Sequence, residues 1–189
     1  MQYSIVHDFV VSACKDRSVL YIGAGDGSGH LAESALATSQ VASSWRGINL
    51  TPIYEAVDKV WIVDLNRPFV LPDFPVDLIV MTEVLEHLHS PVNTLRELIR
   101  RFPGCEFLGS VPNGMSIGRI LMGGWSCFSY GNQDKDHFAL YNRTTILNVM
   151  RAAGMKEVGL VPYQTRPLLR RVFGNNFSFA GGYILHGRF

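Results

Sequence analysis

Short continuous apolar runs alternate along the chain with stretches whose apolar residues recur every three or four positions, a pattern of strands separated by helices. Residues 3–15 place Tyr3, Val6, Val10 and Ala13 on one helical face, which predicts an N-terminal helix able to pack on a sheet. SVLYIGAG then reads as a buried strand running from Ser18 into a glycine turn, and residues 28–45, rich in Ala, Leu and Ser without proline, as a helix. RGINL, 46–50, is a second strand stopped by Thr51 and Pro52. Residues 53–59 leave room for about two helical turns at a rise of roughly 1.5 Å per residue before the third strand, VWIVDL, 60–65. A proline-punctuated loop leads to VDLIVM, 76–81, whose near-continuous apolar character is that of a central parallel strand. A helix from Pro91 to Phe102 is stopped by Pro103 and Gly104, CEFLGSV, 105–111, forms a fifth strand, and residues 143–153 form a helix ended by Gly154. KEVGLVPY and GGYILHGRF supply two last strands, separated by a connection containing Arg166, Arg170 and Arg171. Right-handed crossovers between such elements give a doubly wound α/β domain with its ligand beyond the carboxyl ends of the strands.

Composition narrows the class. With 189 residues, 47% hydrophobic against 17% charged and no shift along the chain, one domain over 1–189 is expected. The net charge of +1 gives no field for holding nucleic acid or an anionic membrane surface. Cys14, Cys105 and Cys127 lie far apart, so neither a disulfide framework nor a zinc knuckle is indicated, and a reducing cytoplasm fits. No window approaches the roughly 18 apolar residues of a membrane span, and the N-terminus has no basic leader, so a soluble, unprocessed protein is expected.

The chemistry concentrates at the strand ends. Gly23, Gly25 and Gly27 follow the first strand and open the first helix, where the backbone must turn sharply and let a ligand approach. A dinucleotide fingerprint would need glycine or alanine where Ser28 stands, and the shorter G-x-G-x-G spacing suits a nucleoside cofactor without a pyrophosphate. Asn49, Asp64, Thr82 and Glu83 end the second, third and fourth strands on the same edge, lining a site for a ribose, an amine and an amino acid.

VLYIGAGDG at 19–27, GINLTP at 47–52, IVDLN at 62–66, VDLIVMTEVLEHL at 76–88, SVPN at 110–113 and DHFALYN at 136–142 resemble, in order, the class I S-adenosylmethionine-dependent methyltransferases, especially the branch of ubiquinone-biosynthesis O-methyltransferases. The resemblance implies a Rossmann-like, seven-stranded, mostly parallel sheet with the last strand antiparallel, and S-adenosylmethionine as cofactor. It further implies that Gly23, Ala24, Gly25 and Gly27 pass under the methionine part, that Asn49 with Leu50 meets the ribose, that Asp64 and the Leu65 amide read adenine, and that Thr82 and Glu83 lie near the amino acid end. Two positions depart from the family, which usually has acidic residues where Tyr21 and Asn49 stand. An amide accepts one ribose hydroxyl and donates to the other, so some charge-assisted affinity is lost.

Methyl transfer from a sulfonium is an in-line displacement that depends on positioning and exclusion of water. A base is needed if the acceptor is a hydroxyl, the expected case, and His137 is then the candidate, with a helix-entry role as its alternative. His87 beside Glu86 serves either the substrate or a structural hydrogen bond, and Asn113, Trp125 and Tyr130 are grouped with it as candidate substrate contacts. Segment 114–135, with five glycines and Ile117, Leu121, Trp125, Phe128 and Tyr130, reads as an apolar lid, or as a packed helix with a loop, or as a patch for a lipid or protein partner. No grouping has metal-ligand spacing. The acceptor is a small molecule, among which a phenol, a sugar, a lipid-linked glycan and a small acid stay open. Two other classes compete: a methyltransferase-like binding or regulatory module without turnover, suggested by Tyr21 and Asn49, and an NADP-dependent oxidoreductase, which Ser28 disfavours.

Overall fold

A computed structural model of the protein describes residues 4–23, 29–50, 60–71, 73–114, 138–163, 171, 176 and 180–189. Its elements are α1 (Ser4–Cys14), β1 (Ser18–Ile22), α2 (Gly29–Val41), β2 (Ser44–Asn49), β3 (Val60–Ile62), β4 (Leu78–Thr82), a 3-10 turn (Leu85–His87), α3 (Pro91–Arg101), β5 (Glu106–Pro112), α4 (Arg143–Ala153), β6 (Lys156–Tyr163) and β7 (Gly182–Arg188). The seven strands form one sheet in the order β3-β2-β1-β4-β5-β7-β6. β1 to β5 pair in parallel, and β7 runs antiparallel to both of its neighbours, β5 and β6. This is the Rossmann-like, mostly parallel sheet with an antiparallel last strand that the sequence resemblance implies.

Strand alternation divides the core between two faces. Val19 and Tyr21 of β1 join Val6, Val10 and Cys14 of α1 on one face, whereas Leu20 and Ile22 join Leu95 and Leu98 of α3 and Ile146 and Met150 of α4 on the other. Each fully buried Leu or Ile contributes about 1.5–3 kcal/mol relative to exposure, so burial on both faces explains why the central strands carry almost no polar residues. α4 begins at a capping box, in which the Asn142 side chain accepts from the Thr145 amide and Thr145 returns a bond to the Asn142 amide, and ends at Gly154 with φ of 97°.

Two boundaries shift by three or more residues from the sequence expectation. The second helix ends at Val41, and Ser44 and Trp45 belong to β2, because Ser44 lies in register with Ser18 and pairing with β1 outweighs local helix preference. The buried Trp45 indole donates to Thr38 Oγ1 at 3.1 Å, which ties the start of β2 back to α2. β3 stops at Ile62, opposite Asn49, and not at Leu65. There the Asp64 carboxylate accepts from the Asn66 amide at 2.9 Å and the Asp64 carbonyl from the Arg67 amide at 3.1 Å, a side-chain-supported turn that replaces the ladder. The short crossover at 53–59 lies outside the described residues.

Candidate active site

The carboxyl ends of β1 to β4 enclose a cleft of about 570 Å³, within the range of roughly 300–1,000 Å³ typical of small-molecule sites. Its floor is built from backbone. Gly23 has φ of 80° and its amide donates to the Ile48 carbonyl at 2.9 Å. A Cβ added at Gly23 would sit 2.2 Å from Val84 Cγ2, so the space saved by this glycine is taken by the protein's own Val84. Gly23 itself lines the cleft, while Ala24, Gly25 and Gly27 lie outside the described residues.

Glu83 follows β4 with φ of 53°, a left-handed conformation costing about 1–3 kcal/mol in a non-glycine residue. Two bonds to Ser110 of β5 hold it there: the Glu83 amide donates to the Ser110 carbonyl at 3.0 Å, and Ser110 Oγ donates to Glu83 Oε1 at 2.7 Å. Glu83 lines the cleft. Its neighbour Thr82 does not: it is 2% exposed, and its hydroxyl lies 3.0 Å from the Tyr21 phenol. Burial pushes the Tyr21 phenol up to about 12 against the opposing hydrogen bond from Thr82, so the residue where the family usually carries an acid is a neutral group facing α1.

Asn49 is nearly buried and Leu50 is exposed, and both line the cleft together with Val63, Asp64 and Leu65. Asp64 Oδ2 lies 3.1 Å from Arg67 Nε, a largely exposed pair that contributes at most about 1 kcal/mol. The rim hangs on the 3-10 turn after β4. Asn66 Nδ2 donates to the His87 carbonyl at 3.2 Å while Asn66 Oδ1 accepts from the His89 amide at 2.7 Å. From the opposite wall the Phe138 and Ala139 amides donate to the Glu86 carbonyl, and the Tyr141 hydroxyl donates to the Leu85 carbonyl at 3.1 Å. Burial, reinforced by the nearby Glu86 charge, pushes the Tyr141 phenol up to about 12 and keeps it a donor.

Of the residues singled out from sequence, the cleft therefore gathers Gly23, Asn49, Leu50, Asp64, Leu65, Glu83 and His87. Asn113 is placed elsewhere: it is buried, its side chain donates to the Ala180 carbonyl at 3.0 Å, and it joins the end of β5 to the entry of β7. His137, Trp125, Tyr130 and, apart from Gly114, the expected lid at 114–135 lie outside the described residues. Sequence reading passed over Asn66, Val84, His89 and Phe138, all of which line the cleft. The repeated histidines of EHLH and the aromatic residue after His137 were the available signals. Among the described residues no group of three or more His, Cys, Asp or Glu gathers as a metal site.

The family model described as a methyltransferase domain matches residues 5–158. The chain belongs to that family. Solved structures that share the fold are named as S-adenosylmethionine-dependent, which makes S-adenosylmethionine the cofactor to test against the cleft. The fold is shared with an S-adenosylmethionine-dependent methyltransferase from Archaeoglobus fulgidus, at 16% identity and a TM-score of 0.68 over 98% of this chain and 94% of that one. It is shared equally with a methyltransferase of the same dependence from Mesorhizobium loti, at 13% identity and 0.65 over 100% and 98%. The N-methyltransferase NodS from Bradyrhizobium japonicum, solved with S-adenosylhomocysteine, is similar at 15% identity and 0.61 over 99% and 87%. No curated protein sequence matches the chain. The methyltransferase's own donor set fits the cofactor: the Asp64 and Glu83 carboxylates and the Asn49 amide suit cations and a diol, and two carboxylates in one cleft oppose a diphosphate.

Proposed function

We propose that the protein transfers a methyl group from S-adenosylmethionine to a hydroxyl of a small organic acceptor, acting in the cytoplasm. The observation that carries this reading is the cleft at the ends of β1 to β4, where Asn49, Asp64 and Glu83 converge within a chain of the methyltransferase-domain family. When bound, the cofactor supplies an electrophilic methyl on a sulfonium. In this reading the Asn49 amide takes the ribose hydroxyls, Asp64 and the Leu65 amide face the base, and Glu83, fixed by Ser110, offers a carboxylate to the amino acid end. His137 would take the proton that the acceptor hydroxyl gives up on methylation. Ala24, Gly25 and Gly27 complete the turn, and His87, Trp125 and Tyr130 contact the acceptor. No helix among the described residues is long and apolar enough to cross a membrane.

The test supplies methyl-labelled S-adenosylmethionine with phenols, sugars, hydroxy acids and amines, and follows label transfer and product release. Label on a hydroxyl supports the reading, and His137→Ala is then expected to lower turnover by about 10² to 10⁴ with cofactor affinity unchanged. Transfer only to amines would refute the hydroxyl assignment. A second reading, a cofactor-binding module without turnover, draws on the neutral Tyr21–Thr82 pair and on Asn49. It predicts cofactor binding with no transfer to any acceptor.

A further inference from the structure

Exposed apolar side chains scattered singly over a surface need no explanation, but two on the walls of one cleft do. Phe138 is 58% exposed and Leu50 62% exposed, and both line the cleft. The Phe138 ring is held in place: its backbone amide donates to the Glu86 carbonyl at 2.8 Å, and the His89 imidazole meets it edge-on, with ring centroids 4.2 Å apart and planes at 83°. That contact still leaves more than half of Phe138 uncovered.

Hydrogen bonds locate this ring within the cleft. The His89 amide donates to Asn66 Oδ1 at 2.7 Å, and the Asn66 amide donates to Asp64 Oδ1 at 2.9 Å. Phe138 is thus linked through His89 and Asn66 to the Asp64 turn at the β3 end of the cleft. Glu83 marks the other end, because its carboxylate is bound to Ser110 on β5.

We infer that Phe138, edged by His89, is the platform on which the adenine ring of the cofactor stacks. A purine offers a flat π face, and stacking on an aromatic side chain needs no hydrogen bond of its own, which suits a wall supplied by a phenyl group. Asn66 acts as a positioning residue in this arrangement, since it holds His89 against the platform. The inference rests on the cofactor assignment proposed above and adds the residues that would set affinity for the base.

Phe138→Ala and Phe138→Trp, made in the full chain, test it by calorimetric titration with S-adenosylhomocysteine and by tryptophan emission. The site is exposed, so unchanged urea midpoints will show that both variants fold. The alanine variant should bind about tenfold to a hundredfold more weakly, and the tryptophan variant within about threefold of the unaltered protein. Binding should quench the emission of the new indole beyond any change in the background from Trp45, Trp61 and Trp125. Alanine binding within about twofold of the unaltered protein, or tight binding by the tryptophan variant without quenching, overturns the platform. Failure of the unaltered protein to bind S-adenosylhomocysteine overturns the cofactor assignment instead, and the two failures are read in separate titrations.

Discussion

The floor and the rim of the cleft are built differently. Gly23 and Glu83 on the floor are fixed by backbone bonds to adjacent strands, one to Ile48 and one to Ser110, above buried residues such as Ile22 and Met81. At the rim, Asn66 and Phe138 donate to the His87 and Glu86 carbonyls of a single 3-10 turn, and the His89 amide donates to the Asn66 side chain. Floor residues carry the fold and the site together, so changes there cost stability first. Rim residues are exposed or half-buried, so changes there should cost ligand affinity with little effect on the core.

The strongest way to break this contrast is Gly23→Val. The positive φ disfavours any side chain, and its Cβ would overlap Val84 Cγ2. A stability loss of about 2–5 kcal/mol is expected in urea denaturation. A variant as stable as the unaltered protein would show that the floor is not rigid.

Alkaline unfolding sharpens the comparison on the buried side. Tyr21 and Tyr141 are held at about 12 against an ordinary 10.0, and Cys14 and Cys105 at about 12 against 9.0, in every case chiefly by burial. The stabilisation of the neutral forms is present below the unfolded values and is lost as pH rises through the folded ones. Stability should thus decline from about pH 9 toward 12, with Tyr21 accounting for about 2–3 kcal/mol of the drop. In Tyr21→Phe the decline between pH 10 and 12 should be correspondingly shallower. An identical slope would mean that the phenol is more solvated than its burial indicates.

At the rim, Asn66→Ala removes two hydrogen bonds, and S-adenosylhomocysteine should bind about tenfold more weakly with a urea midpoint close to the original. A large stability loss with unchanged affinity would reverse the assignment of floor and rim. The smallest effect is expected for Asn49→Asp. A charged acceptor for the ribose hydroxyls should tighten binding by about 1 kcal/mol in calorimetry, and weaker binding would mean that Asn49 serves another contact.

This division also explains what could be read from the sequence. The strands themselves follow from residues buried on two faces, as Val19 to Ile22 show, the sheet type follows from the family resemblance, and Asn49, Asp64 and Glu83 gather at one edge. Which of Thr82 and Glu83 enters the cleft was not legible. Strict alternation assigns Glu83 to the face opposite Ser110, whereas its left-handed backbone turns the carboxylate back to Ser110 Oγ. Asn66 and Phe138 were hidden for a related reason: their roles come from carbonyls of a turn 20 or more residues distant, and no local spacing encodes that. Trp45 misled in the opposite sense, since helix preference around it yields to pairing of β2 with β1.

The central claim is that this cleft is the cofactor site. Calorimetric titration of the unaltered chain with S-adenosylhomocysteine, alongside Gly23→Ala and Asn66→Ala, tests it most directly. The account predicts one site per chain, saturable stabilisation of about 2.7 kcal/mol at a hundred times the dissociation constant, and weaker binding in both variants. Absence of heat and of any thermal shift at millimolar ligand, with the protein folded, would contradict it, as would unchanged binding in both variants.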